Sequence, residues 1–216
     1  MNGEVSVHVV DSDPVGREFV ASLVISKGVK ARTYNSAEQF LAVYDASQAG
    51  CLVVCVELEG ISGLELQRRL IDDGVTLPVI MVAVHGDIPL AVAAMSAGAI
   101  NFLEKPCQGS ELWGCIELAI AKNKSQRQLE KDRVKTKDRI AQLTDGETAV
   151  LRCMIAGLLN KQTKDVLDIG LRTVELRRAS IMQKLDASSL ADVVRMAVIA
   201  GVEPCEKVNP GDSNTT

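Results

Sequence analysis

The chain has 216 residues, 47% of them hydrophobic and 24% charged, which excludes intrinsic disorder and leaves room for two compact domains. No window holds the roughly 18 to 20 unbroken apolar residues of a membrane span, and the N-terminus lacks a signal-peptide pattern, so a cytoplasmic protein without membrane partners is expected. The net charge of −4 is uneven: residues 1–120 carry −8, residues 121–142 carry +5 and residues 143–216 carry −1, which places any nucleic-acid contact in the linker and the second half.

Val5 to Val10 is a short apolar run closed by the turn Asp11-Ser12-Asp13-Pro14. Val15, Phe19, Leu23 and Val24 then recur at helical spacing. The strand-then-helix pattern repeats four times. Val29 to Thr33 precedes a helix opened by Ser36 with Gln39 three later, and Cys51 to Val56 precedes one opened by Ser62 with Glu65. Val79 to Val84 precedes a helix from about Ile88, and Asn101 to Glu104 precedes one from about Ser110. Strands this apolar are buried on both faces, so the five units predict an α/β domain with a five-stranded parallel sheet, a flavodoxin-like (βα)5 fold. Ligands of such sheets sit at the carboxyl ends of the strands. That points to Asp11 to Asp13, Cys55 to Glu57, Ala83 to His85, and Lys105 with Pro106.

The segments "GISGLEL" and "VIMVAVHGDIPLAVAAMSAGAINFLEKP", in this order of units, resemble the receiver domain of two-component response regulators of the NarL/FixJ kind. The resemblance implies an acidic pair after strand 1 that holds Mg²⁺, a phosphate-accepting Asp ending strand 3, a Ser or Thr after strand 4 and a Lys before Pro after strand 5. Those positions fall on Asp11 and Ser12, on Cys55, on Ala83 and on Lys105, with Phe102 on the fifth strand also in the pocket. Only the first acid and the lysine remain. A thiol is neither a phosphoryl acceptor of this type nor a ligand for a hard cation, so a receiver without the Asp phosphorylation cycle is expected. Three alternatives stay open. Asp13 could replace Ser12 as a ligand, Glu57 could imitate a phosphorylated carboxylate, and Cys55 beside Lys105, with Cys107 near, could sense oxidants as a favoured thiolate. The six cysteines otherwise read as reduced thiols without zinc spacing, and no cofactor, metal or enzymatic activity is expected.

From Leu112 to Ala141 there is no proline, and Lys122 to Arg139 is rich in helix-forming charged residues, so the last receiver helix is expected to continue into a charged spacer. The expected divisions are a receiver-like domain at 1–121, a helical linker at 122–142, an output domain at 143–207 and a disordered tail at 208–216.

In the last third, Thr144 with Glu147 forms a capping box before a helix that stops near Gly157. Helices follow at about Asn160 to Leu167, Arg172 to Leu185 and Ser189 to Ala200, giving an all-α four-helix domain. Helix, short turn, helix is a DNA-reading arrangement. The string "LTDGETAVLRCMIAGLLNKQTKDVLDIGLRTVELRRASIMQKLDASSLADVVRMA" resembles the LuxR-type helix-turn-helix of the same regulators. By that resemblance Glu175, Leu176 and Ala179 approach base edges of double-stranded DNA. Lys161, Arg172, Thr173, Arg177, Arg178 and Lys184 approach phosphates. Leu190, Val193, Val194, Ala197 and Val198 form an apolar stripe that is expected to serve a homodimer reading a pseudo-palindrome. The expected function is a sequence-specific transcription regulator controlled independently of Asp phosphorylation. A non-DNA interaction or antagonist protein that binds a partner protein, and a thiol-based redox regulator through Cys55, remain as other readings.

Overall fold

In this computed structural model residues 5–205 are described, so the tail expected at 208–216 lies outside the described residues. Strands β1 (Ser6–Val10), β2 (Lys30–Tyr34), β3 (Gly50–Cys55), β4 (Val79–Ala83) and β5 (Asn101–Glu104) alternate with helices α1 (Pro14–Ser26), α2 (Ala37–Val43), α3 (Gly63–Asp72), α4 (Ile88–Ser96) and α5 (Gly109–Ala141). The strands are all parallel in the order β2-β1-β3-β4-β5. Every residue of β1, β3 and β4 is buried, as expected for strands covered on both faces. The edge strand β2 is largely accessible. It begins one residue later than the apolar run implied, because the Val29 N–H closes the end of α1 on the Val24 carbonyl instead of entering the sheet.

Two cores fill the two sides of the sheet. Val9, Val53, Ile80 and Val82 pack with Val20 and Val24 of α1 and Leu112 and Ile116 of α5. Leu52, Val54 and Met81 pack with Phe40 of α2, Leu66 and Leu70 of α3 and Ala94 of α4. Each fully buried side chain of this size contributes about 1.5–3 kcal/mol relative to leaving it exposed. Short-range chemistry starts the helices: Ser36, Ser62 and Asp87 accept from the N–H three residues on, and Asp13 accepts from Val15 and Gly16 with Pro14 in the first turn.

The chain divides into two compact units, residues 1–128 and 129–216, with α5 passing from one to the other. The second contains α6 (Asp145–Ile155), α7 (Asn160–Leu167), α8 (Leu171–Leu185) and α9 (Leu190–Ala200). Its core joins Val150, Leu151 and Met154 of α6 to Ile181 and Leu185 of α8 and Val193, Met196 and Ala197 of α9. Asp168 takes the left-handed conformation, φ 48°, that ends α7. Aspartate tolerates that region better than a branched residue, and the chain turns there into α8.

Candidate functional site

In the second unit, α8 follows α7 after a three-residue turn and turns one face to solvent. Arg172, Glu175, Leu176 and Ala179 are all exposed and fall on one stripe at helical spacing, with Leu176 57% exposed in spite of its apolar side chain. Lys161 is exposed at the start of α7 and Thr173 is half-buried. The surface that the sequence assigned to base edges is therefore accessible along one helix face.

The basic residues of α8 divide into two kinds. Arg177 and Arg178 are half-buried, and Arg177 donates to the Gly146 carbonyl at 3.4 Å. Lys184, expected at a phosphate, is instead committed to Glu147 at 2.7 Å. Glu147 is buried and also accepts from the Thr144 N–H at 2.8 Å, the Thr144 hydroxyl at 3.0 Å and the Ser180 hydroxyl at 2.6 Å. The Lys184 ammonium and the Ser180 hydroxyl hold the Glu147 carboxyl down at about 2. The capping box of α6 is thus also the clamp on α8. Sequence spacing reveals the cap, while the lysine 37 residues away becomes a partner only through the fold.

The apolar stripe on α9 is narrower than expected. Val193 and Ala197 are fully buried in the core of their own unit, so they are unavailable to a second subunit. Leu190 and Val198 are exposed and Val194 is half-buried.

At the carboxyl ends of the receiver strands, Asp11, Asp13, Cys55 and Lys105 line one cavity. Lys105 Nζ lies 2.6 Å from Asp11 Oδ2, and the other Asp11 oxygen accepts from the Asp13 N–H at 3.0 Å. Both Asp13 oxygens cap α1, accepting from the Val15 and Gly16 amides. A Cβ at Gly16 would lie 2.9–3.0 Å from the ends of the Asp11, Asp13 and Lys105 side chains, which would have to shift to admit one. The remaining pocket positions do not line the cavity. The Ser12 hydroxyl turns toward the Glu57 carbonyl, Ala83 is buried in the core on the opposite side of the sheet, and Phe102 packs against that same core.

Cys55 is not the activated thiol that proximity to Lys105 suggests. Burial pushes it up to about 11, the Asp11 carboxylate pushes in the same direction, and the Lys105 charge is outweighed. Its Sγ–H points to Glu57 Oε2 at 3.4 Å. The Glu57 carboxylate in turn accepts from the Val84 N–H at 3.1 Å and the His85 N–H at 3.3 Å, and the next amide, Gly86, donates to Glu104 at 3.1 Å. Glu57 lies beyond the end of β3 and reaches across to the loop after β4, a contact that depends on the adjacency of these strands. A Mg²⁺ ion demands near-octahedral oxygen ligands. With Asp11 paired to Lys105, Asp13 capping α1, and a hydroxyl and a thiol at positions 12 and 55, this donor set does not fit one.

A doubly wound α/β unit with a strand-end pocket, followed by four helices of which α8 leaves one face exposed, is the make-up of a two-part DNA-binding regulator. The model of the response regulator receiver domain matches residues 7–117, and that of bacterial regulatory proteins of the luxR family matches residues 141–197. The transcriptional regulatory protein FixJ of Azorhizobium caulinodans is 41% identical over 204 residues, 94% of this chain and 97% of that protein. The response regulator protein TodT of Pseudomonas putida is 38% identical over 190 residues, 88% of this chain and 84% of that one. The solved structure of the response regulator StyR aligns with a TM-score of 0.83 at 38% identity, covering 91% of this chain and 99% of that chain. The chain belongs to the NarL/FixJ-type response regulators and is a DNA-binding transcription regulator of that type.

Proposed function

We propose that this regulator binds double-stranded DNA as a homodimer and is controlled without phosphorylation of its receiver. The observation that carries the reading is the occupant of the phosphoacceptor position: a buried thiol at Cys55, hydrogen-bonded to Glu57. Phosphoryl transfer to a receiver needs an oxygen nucleophile and a metal to neutralise charge. Asp11 has lysine as its counter-ion here, and the amides of Val84 and His85 are already satisfied by Glu57. Glu57 thus holds the loop after β4 with a carboxylate that needs no transferred group. The elevated Cys55 thiol also argues against oxidant sensing, since the thiolate is the reactive form.

On the DNA side we assign Glu175, Leu176 and Ala179 to base edges and Lys161, Arg172 and Thr173 to phosphates, with Arg177 and Arg178 alongside. The exposed stripe of α8 supports this. Homodimerisation is supported by two exposed apolar stripes at helical spacing, Ile88, Val92 and Met95 on α4 and Leu190 with Val198 on α9. The domain limits we propose are 1–121, 122–142 and 143–207.

The test combines intact mass with selection from random-sequence DNA. Acetyl phosphate with Mg²⁺ is expected to leave the mass of the full chain unchanged while a pseudo-palindromic site is enriched at low salt. A gain of one hydroxylamine-labile phosphoryl group overturns the receiver reading. Absence of enrichment in the unphosphorylated protein overturns phosphorylation-independent DNA binding.

A further inference from the structure

We propose that the cavity at the strand ends of the receiver is a ligand site for a small, uncharged, mostly hydrocarbon molecule carrying one hydrogen-bond acceptor, which Lys105 holds. The inference rests on the reading of position 55 given above, because a carboxylate in place of Cys55 would add charge to the cavity wall.

The cavity measures about 420 Å³, within the size range of small-molecule sites. Its floor is closed by aliphatic side chains already packed in the core, among them Val9, Val53, Val82 and Leu112, and the apolar surface open to a ligand comes mainly from Phe19 and Val15. An apolar body of roughly ten heavy atoms can exchange water contact for these walls without leaving a polar group unpaired.

The polar groups of the lining select the head of the ligand. The side chains of Asp11, Asp13 and Lys105 are the charged ones. The Asp11 oxygens accept from Lys105 and from the Asp13 amide, and the Asp13 oxygens accept from the Val15 and Gly16 amides. Each carboxylate oxygen thus already meets one donor, so a cationic head gains less there than at a bare carboxylate. Lys105 has three N–H donors and gives one to Asp11, so its ammonium can meet an acceptor on the ligand. Two carboxylates against one ammonium leave the lining net negative and repel an anionic head. A cationic head would face Lys105 directly. An uncharged acceptor, a ketone or an alcohol oxygen, satisfies both conditions. Gly16 contributes by presenting bare backbone beside these three side chains, where a Cβ would crowd all of them.

Four probes with the same phenyl-bearing body test the assignment: 4-phenyl-2-butanone, butylbenzene, 3-phenylpropionate and 3-phenylpropylamine, titrated into the full chain and followed by valine methyl NMR. The ketone is expected to saturate with shifts at Val9, Val53 and Val82. The hydrocarbon should bind about tenfold more weakly for want of the hydrogen bond, and the two charged probes more weakly still. Val15→Trp, at a position 76% exposed and therefore free to take a large residue, should obstruct the accessible side and abolish the shifts without changing the melting temperature. Cys55→Asp should weaken the ketone by about tenfold or more through the added charge. The inference is overturned if no probe moves the three valines, if the carboxylate or the amine binds best, or if Val15→Trp leaves the ketone titration intact. Intact mass after acetyl phosphate, measured on the same samples, separates the two readings. A phosphoryl gain removes the reading of position 55, whereas silent valines with unchanged mass remove the ligand site alone.

Discussion

Two lysine–carboxylate pairs among the described residues are of nearly equal length, 2.6 Å between Lys105 and Asp11 and 2.7 Å between Lys184 and Glu147, in very different surroundings. Glu147 is also bonded to Thr144 and Ser180, so its charge is met from all sides within one packed unit. Asp11 receives one lysine and one amide, and the pair stands beside a cavity. The same interaction therefore serves two ends. In the output unit it joins the start of α6 to α8, and in the receiver it neutralises an acid of the strand-end pocket while leaving room beside it. Truncating Glu147 leaves a lysine, an amide and two hydroxyls without their acceptor at once, whereas Asp11 holds one lysine and one amide, which is why the two pairs differ in what their loss should cost.

The largest effect should come from Glu147→Ala, which is expected to destabilise the output unit by about 2 kcal/mol through loss of the cap and of the bonds to α8. The single tryptophan, Trp113, lies in the receiver unit, so its fluorescence should report an unchanged transition while the circular dichroism midpoint falls. A common shift of both signals would break the contrast between the units.

Acid should then separate them further. His8 is buried on β1, its Nδ1 3.0 Å from the Tyr34 hydroxyl, and burial followed by the Arg32 charge lowers it from 6.5 to about 4. The unfolded chain binds this proton more readily, so receiver stability falls as pH drops from about 6.5 toward 4. Glu147 sits below its ordinary 4.5 at about 2, so its contribution is complete above 4.5 and is lost as pH falls toward 2. Unfolding followed through Trp113 and through α8 amide exchange should show these two windows in that order. Loss of the α8 signal before the receiver signal would contradict the assignment.

Among the basic residues, Lys161→Ala and Arg172→Ala should each weaken DNA binding several-fold and reduce the slope of log K against log salt by about one. Lys184→Ala should leave that slope unchanged, because its charge is already matched by Glu147. A smaller change is expected from Glu57→Ala. The amides of Val84 and His85 should exchange faster, by about the worth of one hydrogen bond each, while Gly86, held by Glu104, should keep its rate.

Much of the architecture was readable because its causes are local. Ser36, Ser62 and Thr144 act on amides three residues away and need no knowledge of distant neighbours. The apolar runs of β1, β3 and β4 reported sheet layers covered on both faces. The misreadings arose where a residue had to choose among distant partners. Lys105 beside Cys55 suggested a thiolate, yet Asp11 captures the lysine and burial dominates the thiol. The basic character of Lys184 suggested phosphate, yet Glu147 claims it. Val193 and Ala197 share a hydropathic stripe with Val198, and only packing shows that the first two complete a core and the third does not. Glu57 was singled out by its position beyond Cys55, but its true contact, the loop after β4, is set by the pairing of β3 with β4.

That loop has a consequence for how the protein can vary. Val84, His85 and Gly86 present their main-chain N–H groups to Glu57 and Glu104, and no side chain of the three takes part in these bonds. Substitution at 84 or 85 by any residue with an N–H preserves the attachment, whereas proline removes a donor. The side chains that fix this loop therefore belong to two acids outside it, and positions 84 and 85 can change composition while the loop stays in place.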